Sequence, residues 1–219
     1  MPIKYPENDN PNMLGGIETD LMYDNVMNHW SWGGMDDLEN GIYMDENNRR
    51  MVTNIRLQMA NLSGELLNEN DPERALNVLD EILRGTPQQN VPYTNVLMPV
   101  AESYMMIANS DTLKTQYSDL LTDEQKQRAL EEAKALTEEL VRQAEESVAY
   151  SLSLGPEYYV AMEEERTRSL QVCDRLKRLF EYYHPEDEYA SELEARLHSL
   201  KFDIENYQRN IVDIGSINF

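Results

Sequence analysis

Apolar residues recur at helical spacing through most of this chain, and the clearest instance runs from Arg56 to Pro87. Met59, Leu62 and Leu66 fall on one helical face, with Ser63 beside Leu62 and Gly64 next to it. Asn70-Asp71-Pro72 interrupts the run, Ala75, Leu79 and Ile82 resume a stripe of helical period, and Gly85-Thr86-Pro87 closes it. A helix that is apolar along one stripe must bury that stripe, and a short turn makes the next helix its partner. The small side chains of Ser63 and Ala75 let the two backbones approach. The pattern predicts a helical hairpin.

The same periodicity predicts helices over Asn48–Asn68, Pro72–Arg84, Tyr93–Ala108, Thr122–Leu154, Glu157–Tyr183 and Glu186–Tyr207. Asp71 is the expected N-cap of the second, with Pro72 at its first position. Pro99 falls inside the third and is expected to kink it. Thr122 and Gln125 fit a capping box at the start of the fourth, and Gly155-Pro156 stops it. Asp111–Leu121 is ambiguous, and Asn210–Phe219 reads as a loose or edge-docked tail. β-branched alternation and Asn-Gly hairpin signals are missing, so the fold class is all-α.

Six helices in three successive pairs raise the question of a repeat. With Arg56 as position 1, Met59, Leu62, Ser63, Leu66, Ala75, Leu79, Ile82 and Pro87 occupy the signature places of a tetratricopeptide unit of about 34 residues. Met stands for Trp, Ser for Gly and Leu for Tyr. The second pair fits through Leu97, Val100, Ala101 and Tyr104, and then only if a long insertion brings Ala133 to the Ala position. The third pair, with Cys173, Leu176, Phe180, Ala190 and Leu197, is degenerate. Two readings stand: a tetratricopeptide-like stack of about three hairpins, or an irregular helical bundle.

Residues 1–45 differ from this body. Nine acids face one base, Lys4, and five glycines punctuate the segment. It reads as an irregular acidic arm with one short helix near Thr19–Met27, capped by Thr19 or Asp20. Leu21, Met22, Val26, Trp30, Trp32, Ile42 and Tyr43 are its means of packing on the helices. The expected organisation is therefore an arm, 1–45, a helical-repeat domain, 46–208, and a tail, 209–219.

Charge narrows the partners. With 41 acids against 19 bases, the net charge of -22 repels phosphate backbones and anionic membrane faces, which excludes nucleic acid as the main partner. No run of 18 apolar residues suggests a bilayer span, and the first residues lack a signal-peptide apolar region. One cysteine, Cys173, allows neither an intrachain disulfide nor a thiolate zinc site.

Candidate chemistry is sparse. His29, His184 and His198 have no metal-ligand spacing, calcium-loop and glycine-rich phosphate motifs are absent, and no cofactor, metal or catalytic residue is assigned. Acid clusters such as Glu138-Glu139 and Glu163-Glu164-Glu165 stand three or four residues from bases, as solvated helix pairs do. Two constellations rise above this background. Trp30 and Trp32, in Asn28-His29-Trp30-Ser31-Trp32-Gly33-Gly34, either stack on a sugar or anchor their loop to the core. Asp45, Glu46, Asn47, Asn48, Arg49 and Arg50 are either a capped helix start or a contact patch for another domain.

Leu21–Met27, Trp32-Gly33-Gly34, Tyr43–Met51, Val91-Pro92-Tyr93, Leu97–Tyr104 and Tyr150–Leu154 carry a resemblance to one bacterial family of large multi-pass membrane proteins of unknown function. That family is similar to GT-C type glycosyltransferases and to the animal transmembrane protein O-mannosyltransferase. The resemblance spans about residues 19–200 and covers only the family's soluble C-terminal part. It implies a tetratricopeptide-like region after the last membrane span, on the periplasmic face of the inner membrane, with the catalytic acids in a membrane domain that this chain does not contain. The expectation is a non-catalytic helical-repeat scaffold whose partner is a protein or the parent's membrane domain. A carbohydrate-binding module on Trp30 and Trp32 is the alternative.

Overall fold

The computed structural model describes residues 3–4, 16–109 and 120–217. The chain divides into two compact units, Met1–Ala133 and Lys134–Phe219. The described residues are almost wholly helical, as the hydrophobic period predicts. The ambiguous stretch after Asp111 falls outside them up to residue 119.

In the first unit, β1 (Ile3–Lys4) pairs antiparallel with β2 (Gly16–Ile17), Ile3 opposite Ile17. Helix α1 (Thr19–Asp24) runs into a π-helical turn over Asn25–His29, carrying helical backbone two residues past the expected end. Neither Thr19 nor Asp20 caps it. Glu18 holds that position without a side-chain bond, because the Thr19 hydroxyl donates to Glu69 at 2.7 Å and Asp20 accepts from Arg74 at 2.7 Å. Both side chains tie the arm to the hairpin instead.

That hairpin is α2 (Glu46–Asn68) packed on α3 (Pro72–Gly85). Asp45 starts α2 two residues earlier than expected, its Oδ1 accepting the Asn48 N–H at 2.8 Å. Asp71 caps α3 through the Arg74 N–H at 3.1 Å, with Pro72 in the first turn where a missing N–H removes no bond. Between the helices Asn70 takes φ 64°, the left-handed conformation asparagine tolerates best after glycine. Met59, Leu62, Ser63, Leu66, Ala75, Leu79 and Ile82 are all fully buried, so the stripe read from sequence is the seam.

The third helix departs from expectation. A 3-10 turn covers Asn95–Leu97 and α4 begins only at Met98. Pro99 therefore sits in the first turn of α4 and sets where it starts, and no kink results. Helix α4 ends at Ala108 and packs on both α2 and α3. The capping box at Thr122 forms, the Thr122 N–H donating to Gln125 Oε1 at 2.9 Å and the Gln125 N–H to Thr122 Oγ1 at 3.2 Å. It opens α5 (Asp123–Ser153), whose first turns belong to this unit.

The second unit holds the rest of α5, the single turn α6 (Pro156–Tyr159), α7 (Glu163–Tyr183) and α8 (Tyr189–Ile217). The expected helix Glu157–Tyr183 is thus two pieces. Helices α7 and α8 pack together around Val172, Cys173, Leu176, Phe180, Leu193 and Leu197. His184-Pro185 ends α7, the His184 N–H closing on the Phe180 carbonyl at 2.8 Å. Helix α8 runs to Ile217 where a tail from Asn210 was expected. Asn210 is no breaker, and Gly215 alone costs a helix only about 1 kcal/mol relative to Ala.

Candidate functional site

The arm's aromatic cluster divides into an inner and an outer ring. Trp32 is 6% exposed, and its indole N–H donates to Glu81 Oε1 at 2.6 Å. A Cβ built on Gly85 would stand 2.1 Å from the Trp32 ring, so only glycine lets this indole lie on the end of α3. Arg84 grips the same Glu81 carboxylate at 2.6 and 2.7 Å and reaches Asp36 at 3.2 Å. Bonds from Arg84 first, and from the indole, hold the Glu81 carboxyl below its ordinary range against the opposing effect of burial. Trp32 therefore anchors the arm and presents no face to a sugar. Trp30 is 41% exposed and meets Trp32 edge-on at 6.1 Å.

Past the glycine turn at Gly33-Gly34, both at positive φ, the arm packs Met35, Ile42 and Met44 against Val52 and Val91. Asn90 donates to the Met35 and Asp37 carbonyls, each at 2.8 Å, and so fastens the loop from the other side. Tyr43 points outward, 88% exposed.

The second constellation has two parts as well. Asp45 is the α2 cap described above, a structural role. Glu46, Asn47, Asn48, Arg49 and Arg50 are all exposed. No ion pair holds Arg49 or Arg50 among the described residues, and no hydrogen bond joins this group to Trp30 or Trp32. It is a surface of backbone-capping and solvated side chains at the start of α2, next to exposed Met51.

Farther along, α2 and α4 line an open groove of about 450 Å³ with Gly16 and Ile17 of β2 at its side. Asn61, Gly64, Glu65 and Asn68 contribute from α2, and Pro99, Glu102 and Met106 from α4. No lysine, arginine or aromatic ring lines it. Sequence reading missed this groove, because it is made by the packing of α4 on α2. The recurring asparagines of α2 were the available signal.

Two buried polar clusters serve the fold. The Tyr104 hydroxyl, on a fully buried side chain, donates to Asp80 at 2.9 Å, and Arg128 reaches the other Asp80 oxygen at 2.7 Å. Burial, then the Asp80 charge, raises both the Tyr104 phenol and the nearby Glu132 carboxyl. In the second unit Arg196 forks onto Glu145 at 2.7 Å and reaches Glu138 at 2.6 Å. Arg166 is 5% exposed and lies over the Tyr159 ring at 3.6 Å. Burial pushes the Cys173 thiol up to about 11, which keeps it protonated and poorly nucleophilic at neutral pH.

Among the described residues no group of three His, Cys, Asp or Glu side chains is arranged to hold a metal ion, and no helix is long and apolar enough to cross a membrane. Comparison with protein-family models, curated proteins and solved structures returns no match.

Proposed function

We propose that this chain is a helical scaffold that binds another protein, with the exposed face of α2 and the α2–α4 groove as its binding surface. One observation carries the reading: the groove stays open on the side of α2 away from α3, while the arm, the buried tyrosine and the charged clusters are occupied in holding the fold. A surface lined by asparagine, glycine, acid and a few apolar side chains offers hydrogen bonds and shape and lacks an evident acid–base pair or nucleophile. The tetratricopeptide-like pattern of Arg56–Pro87 supports the same use. The resemblance at Tyr43–Met51 extends it to an accessory domain of a membrane glycosyltransferase-like protein on the periplasmic face, with the parent's membrane domain as one partner.

Photo-crosslinking side chains placed at Leu57, Asn61 and Glu65 test the reading in the full chain. A partner crosslinked from these positions, and absent when the label is moved to Arg178 on α7, is the expected result. Label at both sites equally, or at neither, counts against it. Sugar binding through exposed Trp30 is the second reading: titration with mannose-type oligosaccharides then quenches the fluorescence of a Trp32→Phe variant, and a flat response removes it.

A further inference from the structure

We propose that α2 grips an extended, lysine- or arginine-bearing segment of the partner protein by its backbone, through a row of asparagine side chains. The inference rests on the scaffold reading and names the partner's chemistry.

Asn47, Asn54, Asn61 and Asn68 recur at every seventh position of α2, and all four are exposed. Seven residues fall only about 20° short of two full turns, so the four carboxamides form one nearly straight row. Each step along the row is about 10.5 Å. An extended chain advances roughly 3.4 Å per residue, so three of its residues span about the same distance. A carboxamide offers both an acceptor and a donor, which pair with the N–H and C=O of a single peptide residue. A strand laid along α2 thus meets an asparagine at every third residue.

These amides have nothing else to do. None of the four side chains makes a hydrogen bond among the described residues, whereas Asn28, Asn40, Asn77 and Asn90 each bond to a neighbour. Asparagine is a poor helix former, so four on one exposed stripe weaken the helix that carries them. Their regular interval needs a reason beyond helix formation.

Charge selects the segment. Asn61 and Asn68 line the groove with Glu65, and Glu102 lines it from α4, with no basic side chain in the lining. A lysine or arginine brought to this site meets carboxylates and the field of a chain of net charge -22. That field also opposes a second copy of this chain as the occupant. Ile17, Pro99 and Met106 give apolar contact to residues between the cations.

The test uses the full chain and three fluorescein-labelled nonapeptides. One carries lysine at every third position with Ser and Val between, the second has glutamate in place of lysine, and the third is the lysine peptide with N-methylated backbone. Anisotropy is expected to report binding of the first alone, and the side-chain amide signals of Asn61 and Asn68 to move in the NMR spectrum. Asn61→Ala combined with Asn68→Ala is expected to weaken binding roughly tenfold or more. Alanine is the better helix former, so the variant retains the fold. No binding of the lysine peptide, or binding that survives N-methylation or the double substitution, overturns the assignment. A partner crosslinked from α2 that holds the double variant undiminished also overturns it, and leaves the scaffold reading standing.

Discussion

Arg56, 1% exposed, reaches from α2 to Thr86 just past the end of α3, donating to its carbonyl at 2.7 Å and its hydroxyl at 2.9 Å. The same guanidinium donates to the carbonyls of Val91 at 2.6 Å and Pro92 at 3.0 Å, and stands 5.1 Å from the Tyr93 ring centre. No carboxylate bonds to it. Burial lowers its pKa to about 10, with Tyr93 opposing the shift, and it remains charged at neutral pH. Carbonyl dipoles and an aromatic face take the place of a counter-ion. A planar fork with five N–H groups can serve this many acceptors in one loop.

Arg56→Lys is therefore not conservative. One ammonium cannot reach carbonyls spread over Thr86, Val91 and Pro92, and each buried acceptor left unpaired costs about 1–3 kcal/mol. The variant is expected to lose about 2–4 kcal/mol in urea unfolding, with an unchanged m-value. A loss below about 1 kcal/mol would mean the loop is held by something else.

The Trp32 anchor is tested at Gly85. Alanine there gains about 1 kcal/mol in helix propensity but drives its Cβ into the indole. In a Trp30→Phe background, Gly85→Ala is expected to shift Trp32 emission to the red and to lower stability by about 1–3 kcal/mol. Unshifted emission would show that the ring can lie elsewhere without leaving the core.

Hydrophobic period and cap chemistry made much of the fold legible in advance. The Asp71-Pro72 start, the Thr122–Gln125 box and the buried seam from Met59 to Ile82 lie where local rules put them. The misses have identifiable causes. Pro99 was read as lying inside a helix because apolar residues continue on both sides of it, and period alone does not locate a first turn. Trp32 and Arg56 are tertiary: their partners, Glu81 and the 86–92 backbone, lie some 30 to 50 residues away. The groove depends on α4 settling beside α2, which no local pattern of either helix encodes.

Glu132 gives a pH dependence. Its carboxyl is raised above 4.5, first by burial and then by the charge of Asp80. A carboxyl raised on folding binds more protons in the native state between those two values. Its ionisation therefore costs stability that is present at neutral pH and disappears as pH falls below about 4.5. Glu132→Gln is expected to raise the melting temperature at pH 7 and to make no difference near pH 4. The gain is a fraction of the ~1.4 kcal/mol equivalent to one pKa unit, because the side chain is partly in water. A variant less stable than the parent at pH 7 would mean that the Glu132 carboxylate is held by a favourable bond.

Asp45 separates the two uses of the segment that begins α2. Its side chain accepts the Asn48 N–H, so Asp45→Ala is expected to cost about 1 kcal/mol of stability, as loss of an N-cap does. Arg49 and Arg50 form no ion pair among the described residues, and Asn47 bonds to nothing there. Replacing these three by alanine is expected to leave unfolding unchanged within about 0.5 kcal/mol. If they serve a partner, the same triple variant weakens its capture in crosslinking while the Asp45 variant, kept well below its melting temperature, captures it normally. A triple variant that unfolds early, with capture intact, would assign the whole segment to the helix start and leave no contact patch there.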